Sequence, residues 1–383
     1  MRILALINSL GQGGAERSLL DLSERMATDW GITTQILTMR QVDHGFGGGL
    51  PRNLAVDVLP RGVPRQLARL RRLLRSGQYD LIWTTLWEAD LLGRLAAFRT
   101  GIPVLCSLVN TPYDPVRRTD PHVRGWKLDL AHAIDGWSAR HLTTHFHAIS
   151  EAVAEHAVQQ LGIRRQSITV IARGRSSKDF EPITEEHRQR IRAALGVPDH
   201  SLALVNVARH EFQKGQKVLV EAMAALRSNG IDVFLVIAGR SGNETASLER
   251  LIASHRLEAS IKLLGDRRDV PEILRASDLF VFPSLYEGLG GALIEAMAAE
   301  LPIVASRLPA ISEVVDETAV LVPAGDATAL AAGIAGLAQK PDERRRRGSD
   351  GRSRFLRHFT LDRVAADMAD LLRSVAERRV TEA

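Results

Sequence analysis

Two glutamates eight residues apart, Glu287 and Glu295, lie in the stretch from Pro283 to Ser306, PSLYEGLGGALIEAMAAELPIVAS. Its pattern reads as strand end, glycine-rich turn, helix and next strand. Gly288, Gly290 and Gly291, with Leu289 between them, let a ligand approach the backbone closely. A helix that begins there offers unpaired amides and a positive dipole end, which suit an anion such as phosphate. The two carboxylates fall on one crevice side while Leu293, Ala296 and Met297 pack inward, and carboxylates accept hydrogen bonds from sugar or ribose hydroxyls. Either glutamate alone could simply answer the helix dipole. The pair beside the glycines favours a ligand site.

A second constellation is Asn206 to Gly215, NVARHEFQKG, where a strand ends and a helix starts near Gln216. Arg209 and Lys214 flank that turn, and two cations beside a helix N-terminus can neutralise a diphosphate without a metal. Taken alone, such cations are usually solvated surface charges. The phosphate loop GxxxxGK[ST] is absent. The third candidate is the first turn, NSLGQGGAERS. Glu16 stands where a dinucleotide fingerprint needs its third glycine, and no acidic residue marks a strand end about twenty residues on. Gly13 and Gly14 would instead let a phosphate, sugar or acceptor pass close to the backbone, or form a plain tight turn. No Asp-x-Asp occurs, so no metal is expected and no cofactor beyond a donor substrate is called for.

These turns need strands and helices to carry them. Short runs rich in Val, Ile and Leu alternate with amphipathic stretches over nearly all 383 residues, the pattern of βα units feeding parallel sheets. Strands are expected near Ile3–Ile7, Thr33–Leu37, Asp80–Thr84, Pro103–Leu108, Thr144–Ile149 and Ile168–Ile171. A second set is expected near Leu202–Ala208, Asp232–Ala238, Ile261–Leu264, Leu279–Pro283, Pro302–Ala305 and Val320–Val322. At about 150 residues per domain the length predicts two domains. The polar stretch Ala172 to Thr184 separates them, and the last helices lie over Asp326–Gln339, Pro341–Phe355 and Leu361–Arg378. The expected fold class is therefore α/β, with two Rossmann-like doubly wound domains facing across a cleft. Residues 1–176 are expected to form the first domain, 177–360 the second, and 361–383 a final helix.

Composition narrows the function. With 25% charged and 45% hydrophobic residues, disorder is excluded as the main state. A single cysteine, Cys106, excludes a disulfide scaffold and a zinc module, and suits a reducing compartment. No run of eighteen apolar residues or leader pattern is present. The net charge of +5 gives no nucleic-acid-binding balance, although arginines bunch at Arg65 to Arg75 and Arg344 to Arg347. In RQLARLRRLLR the leucines form one helical face, ringed by Arg65, Arg69, Arg72 and Arg75. That helix is expected either to face the core or to rest peripherally on an anionic membrane, with the core-facing reading preferred.

Over nearly its whole length the chain resembles the family 4 glycosyltransferases, retaining nucleotide-sugar enzymes of the GT-B fold. The resemblance rests on E-x7-E at Glu287 and Glu295, R-x4-K-G at Arg209, Lys214 and Gly215, and GGAE from Gly13 to Glu16. It implies that Glu287 contacts donor-sugar hydroxyls, Glu295 the ribose, Arg209 and Lys214 the diphosphate, and the amides after Gly288 the sugar or phosphate. It also implies that 1–176 is the acceptor-side domain, 177–360 the nucleotide-sugar domain and 361–383 a helix packing back on the first, and that a hexose passes from a UDP- or GDP-sugar to a glycan, lipid-linked or small-molecule acceptor, in the cytoplasm or at the cytoplasmic membrane face. The chain departs from the family in places. Val109 or Asn110 stands for a common His, Arg173, Gly174 and Arg175 replace Asn-Gly-Val/Ile-Asp, and Leu289 and Glu300 replace a common Phe and a helix-ending Gly. Arg173 and Arg175 are expected to add positive charge near the cleft. Alternatives are a sugar epimerase or phosphorylase of the same fold, an oxidoreductase, and a polyanion-binding scaffold.

Overall fold

The computed structural model describes residues 1–11, 13–40 and 54–381, and side chains as far as Arg378. Gln12 of the first turn lies outside them. The chain forms two units: Met1–Tyr113, Arg124–Gly174 and Leu361–Ala383 make the first, and Asp114–Val123 with Arg175–Thr360 make the second. The segment Asp114–Val123 thus belongs with the later half of the chain although the sequence places it amid the earlier strands.

Among the described residues the first unit carries seven parallel strands: β1 (Arg2–Ile7), β2 (Thr33–Thr38), β3 (Ala55–Val58), β4 (Leu81–Thr85), β5 (Val104–Leu108), β6 (His145–Ala148) and β7 (Ile168–Val170). Their order is β3-β2-β1-β4-β5-β6-β7, so the direction of winding reverses between β1 and β4. Helices α1 (Gly14–Trp30), α2 (Val63–Arg75), α3 (Trp87–Ala97), α4 (Gly125–Leu142) and α5 (Glu151–Leu161) fill the connections. Six strands match the sequence expectation to within a residue or two. β3 was not expected, because AVDV is four residues long and mostly exposed, pairing only along one edge of β2.

The second unit carries β8 (Leu202–Val207), β9 (Val233–Ala238), β10 (Ile261–Gly265), β11 (Leu279–Phe282), β12 (Ile303–Ser306) and β13 (Val320–Val322), ordered β10-β9-β8-β11-β12-β13 and all parallel. Its helices are α6 (Glu185–Leu195), α7 (Gln216–Ser228), α8 (Thr245–Ser254), α9 (Val270–Ala276), α10 (Gly291–Ala298), α11 (Pro309–Val315), α12 (Ala327–Ala338) and α13 (Pro341–His358). Caps are written in the sequence: Thr184 accepts the His187 amide at the start of α6, and Asp326 accepts the Ala329 amide at the start of α12. Winding reverses between β8 and β11.

The last helix, α14 (Leu361–Thr381), belongs to the first unit. Val364, Ala365, Met368, Ala369, Leu372 and Val375 are buried in the same cluster as Leu19, Leu20, Leu22 and Met26 of α1. The chain therefore returns to its first unit, as expected. Glu300, which stands where a helix-ending glycine is common, adopts a left-handed φ of 60° after α10. That conformation costs a side-chain-bearing residue roughly 1 kcal/mol or more.

Inside the first sheet, the Trp83 indole donates to Ser107 Oγ (2.7 Å) and Ser107 meets His147 Nδ1 (2.9 Å), while His147 Nε2 faces the Ile171 carbonyl (2.8 Å). Burial pushes the His147 and His145 imidazoles from 6.5 down to about 4. Their folded pKa values are depressed, so their contribution is present above pH 6.5 and is lost as pH falls toward 4. Asp90, raised by burial from 3.8 to about 7, acts oppositely, its contribution being lost as pH rises through 7. Two imidazoles against one carboxyl predict net acid destabilisation between pH 6.5 and 4. His147→Gln should flatten that limb in a series of melting temperatures against pH, and an unchanged limb would remove His147 from the explanation.

Candidate active site

The site is built where the second sheet reverses. Ligands of doubly wound sheets bind beyond the carboxyl ends of the strands at such a point, and the two turns singled out in the sequence leave β8 and β11, the strands on either side of it. The turns are locked together by their own backbone. Leu285 N–H donates to the Gln213 carbonyl (2.8 Å), and the Gln213 side chain donates to the Tyr286 carbonyl (3.0 Å). Beneath them, buried Asn206 donates to the Val281 carbonyl (2.9 Å) and accepts from Gln216 (3.1 Å). Gly215 has φ +60°, and a Cβ there would collide with the Pro283 carbonyl oxygen. The glycine of the KG pair is what lets the turns meet.

That contact brings Lys214 and Glu287 together. Lys214 Nζ donates to Glu287 Oε2 at 2.6 Å, with only 16% and 10% of the two side chains exposed. Glu287 also accepts the Gly288 amide on Oε1 (3.2 Å), and Ser284 Oγ lies 3.5 Å from Oε2. Lys214 further sits over the Phe282 ring, 5.7 Å from its centroid. Leu289 is buried, Gly290 takes a left-handed φ of 83° as the N-cap of α10, and Gly291 is the first residue of that helix. A carboxylate, an ammonium and a glycine-opened helix N-terminus are thus placed at one edge.

The other predicted residues are placed differently. Arg209 is about half exposed, and the ionic neighbour its geometry gives is Glu211 at 3.8 Å. Glu295 is buried against Arg175, whose Nε donates to Oε1 at 2.6 Å. Arg175 was expected as added charge at a cleft. Instead its side chain is 2% exposed, and its amide donates to the Phe359 carbonyl. Gly13 is the N-cap of α1 and Gly14 its first residue, both in the first unit. The space a Cβ would need is taken by the Glu16 carboxylate at Gly13 and by the Arg173 guanidinium at Gly14. Val109 and Asn110 follow β5 directly, so no histidine stands at that strand end.

Two further titratable groups, His210 and Glu244, are not among the motif residues of the sequence. His210 is buried, with Nδ1 3.0 Å from Thr245 Oγ1, and burial pushes its imidazole down. Glu244 is paired with Lys217 and accepts from Ser247 (2.8 Å). Burial opposes its ionisation, yet those partners hold its carboxyl below the usual range. His210 adjoins Arg209 in the sequence and could have been noticed there, but Glu244 lies in a loop with no motif. Among the described residues no group of three metal-ligating side chains is gathered, and no helix is long and apolar enough to cross a membrane.

Two parallel doubly wound units, with charged side chains and a glycine-opened helix start at the switch point of the second, have the architecture of the GT-B class. Residues 187–354 match the family described as glycosyl transferases group 1, and residues 13–174 match the glycosyl transferase 4-like domain. The chain belongs to the family 4 glycosyltransferases and is a glycosyltransferase. It is 28% identical over 360 residues to the lipopolysaccharide core biosynthesis mannosyltransferase LpsB of Rhizobium meliloti, covering 90% of this chain and 94% of that one. It is 27% identical over 247 residues to the UDP-Gal:alpha-D-GlcNAc-diphosphoundecaprenol alpha-1,3-galactosyltransferase of Escherichia coli, covering 64% of this chain and 62% of that one. Anabaena HepE, solved in complex with UDP-glucose, superposes with a TM-score of 0.85 at 23% identity, over 98% of this chain and all of HepE.

Proposed function

We propose that the protein moves a hexose from a UDP-sugar to a lipid-linked glycan acceptor, with retention at the anomeric carbon and without a metal, at the cytoplasmic membrane face. The Lys214–Glu287 pair at the switch point carries this reading. The relatives support the donor and acceptor classes, since the E. coli enzyme is named for UDP-Gal and a diphosphoundecaprenol acceptor, and HepE is described with UDP-glucose.

As the bond from the anomeric carbon to the diphosphate oxygen breaks, its electron pair leaves with the nucleoside diphosphate. Lys214, Arg209 and the N-terminus of α10 stabilise the charge that builds there. The acceptor hydroxyl oxygen bonds to the same face of the carbon, and a phosphate oxygen of the departing group takes its proton, so no protein nucleophile is used. Glu287 fixes donor-sugar hydroxyls on one oxygen while the other pins Lys214. The amides after Gly288 approach the sugar and phosphate, and Glu295 receives the ribose. Gly13 and Gly14 serve the acceptor side.

Thermal shifts with UDP, GDP, ADP and their sugars test the donor. A ligand at 100 times its dissociation constant adds about 2.7 kcal/mol, and UDP and UDP-hexoses are expected to raise the melting temperature most. No shift with any nucleotide would sink the donor assignment. Turnover is expected to survive EDTA, and complete loss restored by Mg2+ or Mn2+ would overturn the metal-free reading.

A further inference from the structure

Helix α4 is inverted relative to an ordinary surface helix. Its inward face carries Asp135 and Ser138, both bonded to the buried Arg94 guanidinium at 2.7 and 3.0 Å, and Tyr113 Oη donates to Asp135 at 2.8 Å. Its outward face carries Trp126, Leu130, Ile134 and Trp137, exposed at 64, 56, 37 and 54%. At 100° per residue these four fall within an arc of roughly 80°, over a length of about 16 Å. Soluble proteins rarely leave such a continuous apolar stripe uncovered, and one that is exposed marks an interaction site.

The surroundings of the stripe are cationic. Arg124, the N-cap of the helix, and Lys127 and Arg140 within it are exposed, with Lys127 Nζ 5.6 Å from the centre of the Trp126 ring, and exposed Asp129 lies roughly 60° outside the arc. Helices α2, α3 and α4 pack side by side in one layer. On α2, Leu70 and Leu74 are buried and Leu67 and Leu73 half-buried, while Arg65, Arg69, Arg72 and Arg75 are exposed, so its leucines face the core and its arginines reach solvent. Phe98, just after α3, is 48% exposed beside exposed Arg99. Tryptophans at both ends of an apolar stripe with lysine and arginine around it are what the interface of an anionic bilayer accepts. A second copy of the chain related by a two-fold axis would set these cations against one another.

We propose that the outward face of α4 is the membrane-docking surface of this protein, inserting Trp126, Leu130, Ile134 and Trp137 among anionic lipid headgroups while the arginines of α2 add long-range attraction. This deepens the proposed function by naming the surface that would meet a lipid-linked acceptor, and rests on that reading only for the acceptor.

Co-sedimentation of the full chain with phosphatidylglycerol-containing and with pure phosphatidylcholine vesicles tests it. Binding is expected to the former only, with a blue shift of tryptophan emission. Leu130→Asp with Ile134→Asp should lower binding at least tenfold, while Arg69→Glu with Arg72→Glu should weaken it mainly at low salt. UDP binding by the Asp variant should be unchanged, which separates failure of docking from failure of the donor reading. Equal binding by the Asp variant and the parent overturns the proposal. So does the absence of vesicle binding, and if sedimentation velocity then shows a dimer that the Asp variant breaks, a second copy covers the stripe.

Discussion

Lys214→Ala is expected to lower turnover at least tenfold and to weaken binding of the bare nucleoside diphosphate. A charge-assisted contact to a phosphate is worth about 1.5–3 kcal/mol, or roughly ten- to a hundredfold. The structure adds a second effect that the sequence did not suggest. Lys214 is also the partner of Glu287 at 2.6 Å, so its loss leaves a largely buried carboxylate with the Gly288 amide and a distant Ser284 hydroxyl. Glu287 should then be misplaced for the sugar, and the variant should lose more transfer than nucleotide affinity. Glu287→Gln alone should spare affinity for the free diphosphate while damaging transfer. The double variant should lose less than the sum of the two, because residues that share a bond are not additive. Initial rates and calorimetry on the three proteins decide this. Additive losses would mean that the pair does not act as a unit, and unchanged turnover in Lys214→Ala would remove this turn from catalysis.

Most strands could be read because parallel strands buried on both faces appear as continuous Val, Ile and Leu runs. β3 could not, since a four-residue edge strand has no buried period to display. The two turns of the site were legible separately as glycines beside charged residues. Their interlocking was not, because the hydrogen bonds from Leu285 and Gln213 join positions about 72 residues apart and are specified by sheet order rather than local pattern. The same limit applies to α4. Trp126, Leu130, Ile134 and Trp137 have the spacing of a core-facing stripe, and only the burial of Asp135 and Ser138 around Arg94 shows that the helix is turned the other way. Arg175 likewise reads as surface charge until its buried carboxylate partner, 120 residues on, is known.

Arg175→Ala is expected to destabilise the second unit by about 3–5 kcal/mol, because deleting one member of a buried ion pair leaves the other charged and desolvated. The pair is unusually enclosed, at 2% and 9% side-chain exposure, and Arg175 also ties its backbone to the Phe359 carbonyl and bridges to Thr360. The backbone links survive in the alanine variant, so the loss should come from the Glu295 carboxylate, deprived of the guanidinium. Arg175→Met with Glu295→Gln removes both charges and should recover much of the melting temperature lost in Arg175→Ala. Glu295→Gln alone tests the ribose assignment against a purely structural one. If the carboxylate holds the ribose, nucleoside diphosphate affinity should drop even at temperatures where the variant is fully folded, and ribose-free pyrophosphate should bind as before. If Glu295 serves only Arg175, the melting temperature should fall while UDP affinity of the folded fraction stays unchanged, and the ribose contact must be sought elsewhere on α10 or its preceding turn.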